Sequence, residues 1–319
     1  MMTVDRRNLL GLAALAAAGP ALADPTDPTE VVTLWLGPPP GAPAVLPQAK
    51  VVDRIKTSGF QDRFVTDIGE PLMTVFRPKR PNGAAALLIP GGGYIRVVID
   101  KEGFEVAHRL ADAGVTSFVL RYRLPKEGWA NPSDVALQDA QRAIRLIRAR
   151  AAVFKIDPQR VVAIGFSAGG HVAASLATGH ARTTYAPVDE ADALSARPDL
   201  SALLYPVIDM ALPLAHAGSR EALLGPNPTP QGEAAYSLHR HVTADVPPTF
   251  LAHAADDPSV PLDNSLNYFA ALRAAKVPAE LHVFEEGGHG FGIRLARGKP
   301  AEHWPEMFLA WAGRHRFTA

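Results

Sequence analysis

The stretch Val161-Val162-Ala163-Ile164-Gly165-Phe166 is apolar at consecutive positions and stops abruptly on Ser167. A segment apolar on both faces suits a strand buried on both sides, as in a parallel sheet covered by helices. Runs of the same kind occupy residues 84–89, 115–122, 200–206 and 249–253, and a last strand is expected at 280–284. Helical patterns lie between and after them, at 104–113, 134–154, 167–177, 263–276 and 305–317. In the longest of these, Val135, Leu137, Ala140, Ala143, Ile144 and Ile147 recur at helical spacing, with arginines on the other side and Ser133 placed to cap the start. Strands alternating with helices predict an α/β fold, with a mainly parallel central sheet and helices on both faces.

The flanks of this pattern are different. Residues 63–68 and 72–77 alternate around Gly69-Glu70-Pro71 and predict an antiparallel hairpin at one edge. Residues 24–60 form a proline-rich arm centred on Gly37-Pro38-Pro39-Pro40-Gly41, with a short strand expected at 31–36. Residues 61–319 then make one domain. Its segment 207–248, rich in Pro, Gly and His, is too long for a simple connection. It is expected to form a small cap near the carboxyl ends of the strands, where such sheets bind ligands. At the start, Arg6-Arg7 precedes a short apolar run and Ala21-Leu22-Ala23, the pattern of a twin-arginine-like signal peptide over residues 1–23. About ten apolar residues are too few to span roughly 30 Å of hydrocarbon. The reading is therefore an exported protein, periplasmic or secreted, with no stable membrane anchor after cleavage.

Composition removes several classes of function. Lys and Arg number 32, as do Asp and Glu, so nothing in the net charge favours nucleic acid as a partner. Cys is absent, which excludes disulfides, thiolate metal sites and a cysteine nucleophile. The glycine run Gly91-Gly92-Gly93 is not a dinucleotide fingerprint, because position 96 is Arg, and no Lys-Ser/Thr follows it as in a phosphate loop. No cofactor and no metal are expected. His239-Arg240-His241 has ligand-like spacing but no third ligand nearby, so it reads as part of a loop.

What remains is a serine. In Gly165-Phe166-Ser167-Ala168-Gly169-Gly170 a buried strand enters Ser167 and a helix leaves it. In that setting G-x-S-x-G is a nucleophile elbow rather than a helix cap. A serine hydroxyl needs a base, and the base needs a carboxylate to orient it. Downstream, the strand at 249–253 runs into Asp256-Asp257, and the strand at 280–284 into Gly287-Gly288-His289-Gly290. Ser167, Asp257 and His289 therefore fall in the chain order that this architecture uses. Asp256 is the rival acid and Asp209 a weaker one; Asp257 is preferred because it directly precedes Pro258-Ser259-Val260-Pro261. His282, in mid-strand, and His171, on the buried helix, read as structural. The backbone N–H of Ala168, with those of Gly92 and Gly93 after the first long strand, would hold a developing oxyanion. Trp129 follows a strand and is placed to line an acyl or sugar pocket.

These motifs together (Pro90-Gly91-Gly92-Gly93-Tyr94, Gly165 to His171, His253-x-x-x-Asp257-x-x-Val260-Pro261 and Gly288-His289-Gly290-Phe291-Gly292) resemble the α/β-hydrolase superfamily. More narrowly, they are similar to secreted bacterial acetyl xylan and feruloyl esterases related to the hormone-sensitive lipase branch. The match covers roughly residues 60–315. One departure is Pro90, where that branch carries His in its His-Gly-Gly-Gly loop. The resemblance implies a serine esterase acting on a small ester or an acetylated polysaccharide. It also implies that Tyr94 and the segment from His216 to Gly225 lie at the substrate pocket.

Overall fold

A computed structural model describes residues 27–28, 30–54 and 61–318, so the expected leader at 1–23 lies outside the described residues. The strands are β1 (Val31–Thr33), β2 (Lys50–Asp53), β3 (Arg63–Thr66), β4 (Leu72–Phe76), β5 (Ala85–Ile89), β6 (Thr116–Arg121), β7 (Val161–Phe166), β8 (Leu200–Leu204), β9 (Thr249–Ala254) and β10 (Ala279–Phe284). The helices are α1 (Glu105–Asp112), α2 (Val135–Ala149), α3 (Ala151–Phe154), α4 (Ala168–Gly179), α5 (Ala217–Leu224), α6 (Pro230–Tyr236), α7 (Asp263–Ala274) and α8 (Trp304–Arg314).

Eight strands form one sheet in the order β1-β4-β6-β5-β7-β8-β9-β10. Pairing is parallel from β6 through β10 and antiparallel at β1–β4 and β4–β6. β5, β7, β8 and β9 are buried at every position, which accounts for their apolar runs: helices cover both faces. β7 has the bounds that its apolar run predicts, because Ser167 leaves the strand conformation abruptly.

Three local expectations fail. The hairpin between residues 63–68 and 72–77 does not form. β3 pairs instead with β2 in a separate two-stranded sheet, while β4 pairs with β1 and β6. The cause is long-range: Val65 bridges Val97, drawing β3 towards the segment that follows the glycine loop. The helix expected at 134–154 breaks at Arg150 into α2 and α3. Ser133 does not cap it, because its Oγ donates to the carbonyl of Leu223 at 2.7 Å.

The proline arm is tied into the core by a buried ion pair. The side chains of Arg123, after β6, and Asp139, on α2, are wholly inaccessible and 2.9 Å apart. Asp139 also accepts from Trp35 Nε1 at 2.9 Å, and Arg123 donates to the Pro40 carbonyl at 2.8 Å. Isolated charges are costly at such depth, so the pair stands or falls together. Asp139→Ala would leave Arg123 buried and uncompensated and is expected to lower the unfolding free energy by about 3–5 kcal/mol, read from urea titrations.

Candidate active site

Ser167 sits between β7 and α4 with φ 53° and ψ −120°, a conformation that non-glycine residues rarely adopt and that costs on the order of 1–3 kcal/mol. The neighbouring chain holds it there. Its N–H donates to the Leu204 carbonyl at 3.0 Å, and its carbonyl accepts from Val207 N at 3.0 Å and His171 N at 3.2 Å. Gly169 makes the turn possible: a Cβ there would lie 2.1 Å from the Ile89 carbonyl oxygen. The elbow is thus pressed against the carboxyl end of β5, from which the glycine loop leaves.

The structure brings Ser167, His289 and Asp257 into one line. Ser167 Oγ lies 2.8 Å from His289 Nε2, and His289 Nδ1 lies 2.7 Å from Asp257 Oδ2. Because Nδ1 faces a carboxylate, it is the protonated nitrogen, which leaves Nε2 to accept from the serine. Asp257 is fully engaged. Its Oδ1 accepts from the N–H groups of Ser259 and Val260 at 2.8 and 2.9 Å, and its Oδ2 also faces His253 Nε2 at 3.2 Å. Burial alone would raise its pKa, but the hydrogen bonds from His253 and His289 outweigh burial and hold the carboxyl well below the usual range. Asp256 is turned elsewhere. Its Oδ1 accepts from Gly287 N and Gly288 N at 2.9 and 2.7 Å, fixing the loop that carries His289.

Gly92 and Gly93 line the cavity in front of Ser167, with φ of 134° and 67°. At Gly92 a Cβ would meet the Arg96 carbonyl oxygen at 2.2 Å, so no other residue fits. Among the described residues, the N–H groups of Gly92, Gly93 and Ala168 have no acceptor. His216 caps α5, with Nδ1 accepting from Ser219 N at 3.1 Å, and lines the same cavity. Burial, then the charge of His289, holds its pKa below the ordinary histidine value.

Tyr94 and Trp129 are corrections, since neither lines the cavity at Ser167. The Tyr94 ring is turned under the loop and buried, and its phenol meets His171 Nδ1 at 2.7 Å. Trp129 is buried against the Arg123 guanidinium, 4.8 Å from its ring centroid, where a flat aromatic face offsets a buried cation. The remaining candidates also lie away from the serine. Asp209 accepts from Ser237 Oγ at 2.8 Å, with His239 Nδ1 at 3.7 Å. His241 Nε2 is 3.0 Å from the Ala234 carbonyl, and His282 pairs with Glu280 at 2.8 Å.

Two residues outside every sequence motif join the site together. Glu102 is buried behind the glycine loop and accepts from Gly91 N at 2.8 Å and from Tyr205 Oη at 3.2 Å. Tyr205 Oη in turn accepts from Gly292 N at 3.2 Å, and its ring packs edge-on against His289 at 5.2 Å. One carboxylate and one phenol therefore link the glycine loop to the histidine loop. Among the described residues, no group of His, Asp and Glu is arranged to hold a metal, and no helix is long and apolar enough to cross a membrane.

A strained serine at a strand–helix elbow, with an acid in the loop after β9 and a histidine in the loop after β10 of a mostly parallel sheet, defines an α/β-hydrolase. The comparisons narrow the class. The BD-FAE family model matches residues 73–272, and the chain belongs to that family, which is of α/β-hydrolase type. It is 32% identical over 236 residues to the acetylxylan esterase of Xylanibacter ruminicola, covering 72% of this chain and 45% of that protein. It is 36% identical over 227 residues to endo-1,4-beta-xylanase B of Butyrivibrio fibrisolvens, covering 71% and 34%. The chain thus spans less than half the length of these curated relatives. Among solved structures it resembles the acetyl ester-xyloside bifunctional hydrolase from Caldicellulosiruptor lactoaceticus, with TM-score 0.69, 33% identity and coverage of 86% and 99%.

His171 offers a test of how the elbow helix is packed. Wholly buried, it is held at a pKa of about 4 by burial, partly opposed by its hydrogen bond to the Tyr236 carbonyl. The unfolded chain takes up this proton near pH 6.5 and the folded one only near 4. Stability contributed by the neutral ring is present above 6.5 and lost as pH falls towards 4, at most about 3 kcal/mol. In His171→Asn, the drop in denaturant midpoint over that window is expected to be smaller than in the unaltered protein.

Proposed function

We propose that this chain is an exported serine esterase that hydrolyses short-chain carboxylic esters, in particular acetyl groups on plant hemicellulose. The observation that carries the chemistry is the unbroken line from Ser167 Oγ through His289 to Asp257, with contacts of 2.8 and 2.7 Å. In this reading Ser167 Oγ attacks the ester carbonyl while His289 Nε2 takes its proton. Asp257 holds the ring and stabilises its charged form. The N–H groups of Gly92, Gly93 and Ala168 bind the oxyanion, each donor contributing about 10²–10³ in rate. His289 then protonates the departing alcohol. Water attacks the acyl-serine as His289 takes its proton, and the collapse returns that proton to Ser167 and releases the acid.

The substrate rests on other support. Both the acetylxylan esterase and the bifunctional acetyl ester-xyloside hydrolase are relatives of this chain. The Arg6-Arg7 leader pattern supports a location where such polymers are met. Ser167→Ala is expected to lower kcat on p-nitrophenyl acetate by about 10⁴-fold or more, with an unchanged unfolding midpoint. Near-normal turnover in that variant would overturn the mechanism. Release of acetate from acetylated xylan, together with a preference for C2 over longer acyl chains, supports the hemicellulose reading; C4 preference without polymer deacetylation points to a general carboxylesterase.

A further inference from the structure

The cavity in front of Ser167, of about 410 Å³, has a wall that the mechanism does not use: Arg54, Arg96, Lys101 and Lys126 all line it. The chain as a whole is neutral, so this convergence is local. Two of the four charges are answered. Arg54 pairs with Asp62 at 2.7 Å, and Lys126 with Glu221 at 3.0 Å. Arg96 and Lys101 have no ion pair among the described residues. Glu102, beside them, has its two oxygens engaged by Gly91 N and Tyr205 Oη.

Arg96 is an expensive arrangement. Its guanidinium carbon lies 5.3 Å from the centroid of the Phe64 ring, and that of Arg54 lies 5.4 Å from the same centroid. Two like charges thus share one aromatic ring at the rim of a cleft. Its Nε is buried without an acceptor. Burial and the Arg54 charge disfavour the ionised form, and the charges of Asp62 and Glu102 only partly oppose them. The backbone cannot relax the crowding, because Val97 on the next position is bonded both ways to Val65 at 2.9 Å. Lys101 flanks the histidine loop: a Cβ on Gly290 would lie 2.9 Å from its Nζ. A buried, unmatched donor on Arg96 and two cations with no direct ion pair in the same cavity as Ser167 are what an anionic ligand group would relieve.

We infer that this cavity takes an ester whose uncleaved part carries a carboxylate, bound by Arg96 and Lys101; the inference rests on the esterase reading above. Guanidinium matches a carboxylate in a two-pronged hydrogen-bonded contact, and the ammonium adds a second point of attachment. The carboxylate has two possible sources. It can belong to an acidic sugar on the alcohol side, as in a uronic-acid-bearing polysaccharide, or to the far end of the acyl chain.

Two pairs of substrates separate the sources. Acetylated xylo-oligosaccharides with and without glucuronic acid test the alcohol side; p-nitrophenyl hydrogen succinate against p-nitrophenyl butyrate tests the acyl side. At low ionic strength, kcat/KM is expected to favour the acidic member of one pair by about tenfold, the effect of one well-placed charged hydrogen bond. The preference should shrink with added salt. It should also fall to near unity in the double variant Arg96→Gln/Lys101→Gln, while Arg96→Lys retains part of it. No preference in either pair, or one that survives the double variant, overturns the inference and leaves the esterase reading intact. If no ester is turned over, that reading fails on its own. Calorimetric binding of the glucuronic-acid-bearing oligosaccharide to Ser167→Ala, and its weakening by the double variant, then decides the alcohol-side case, and succinate binding decides the acyl-side one.

Discussion

The turn at Ser167 is the constraint around which the molecule is arranged. A serine at φ 53° is unfavourable by itself and persists only where its surroundings over-determine it. Here β7 delivers the chain, α4 takes it away, and the ends of β8 and β5 close on either side through the Leu204 carbonyl and the contact at Gly169. Each of those neighbouring strands is fully buried, so the cost of the elbow is spread over the centre of the core. This is also why Ser167 is held in one place: the turn cannot relax without disturbing the sheet.

The rest of the site hangs on this point through a few polar links. Asp257 is gripped by two backbone N–H groups and by His253, so its second oxygen is left in one position for His289. Asp256 fixes the backbone of the histidine loop, and the adjacent carboxylates thereby divide the work of holding His289. Glu102 and Tyr205 join that loop to the glycine loop. Both halves of the site, the histidine loop and the glycine loop, are therefore referenced to the same buried network, and such networks gain rigidity when every member is satisfied.

What is legible in the sequence follows the range of the interactions involved. The elbow and its bounds can be read because strand, serine and helix are contiguous, and the order of Ser167, Asp257 and His289 because each ends a strand of recognisable apolar pattern. The hairpin at 63–68 and 72–77 is a false expectation because alternation and a Gly-Glu-Pro turn are local signals. The pairing is decided by Val97, about thirty residues away from Val65. Tyr94 and Trp129 stand in sequence where a pocket lining would be expected, but their partners, His171 and Arg123, are set by the fold. Glu102 and the cations at 54, 96, 101 and 126 carry no motif at all. They become a wall only when the end of β2, the glycine loop with the turn after it, and the segment after β6 meet.

The central claim is that the strained turn presents one activated serine. A fluorophosphonate probe followed by peptide mass spectrometry tests it most directly. A single adduct is expected, on Ser167, formed rapidly in the folded protein and far more slowly in His289→Ala. An adduct on another residue, or a folded protein that takes up no probe, would contradict it.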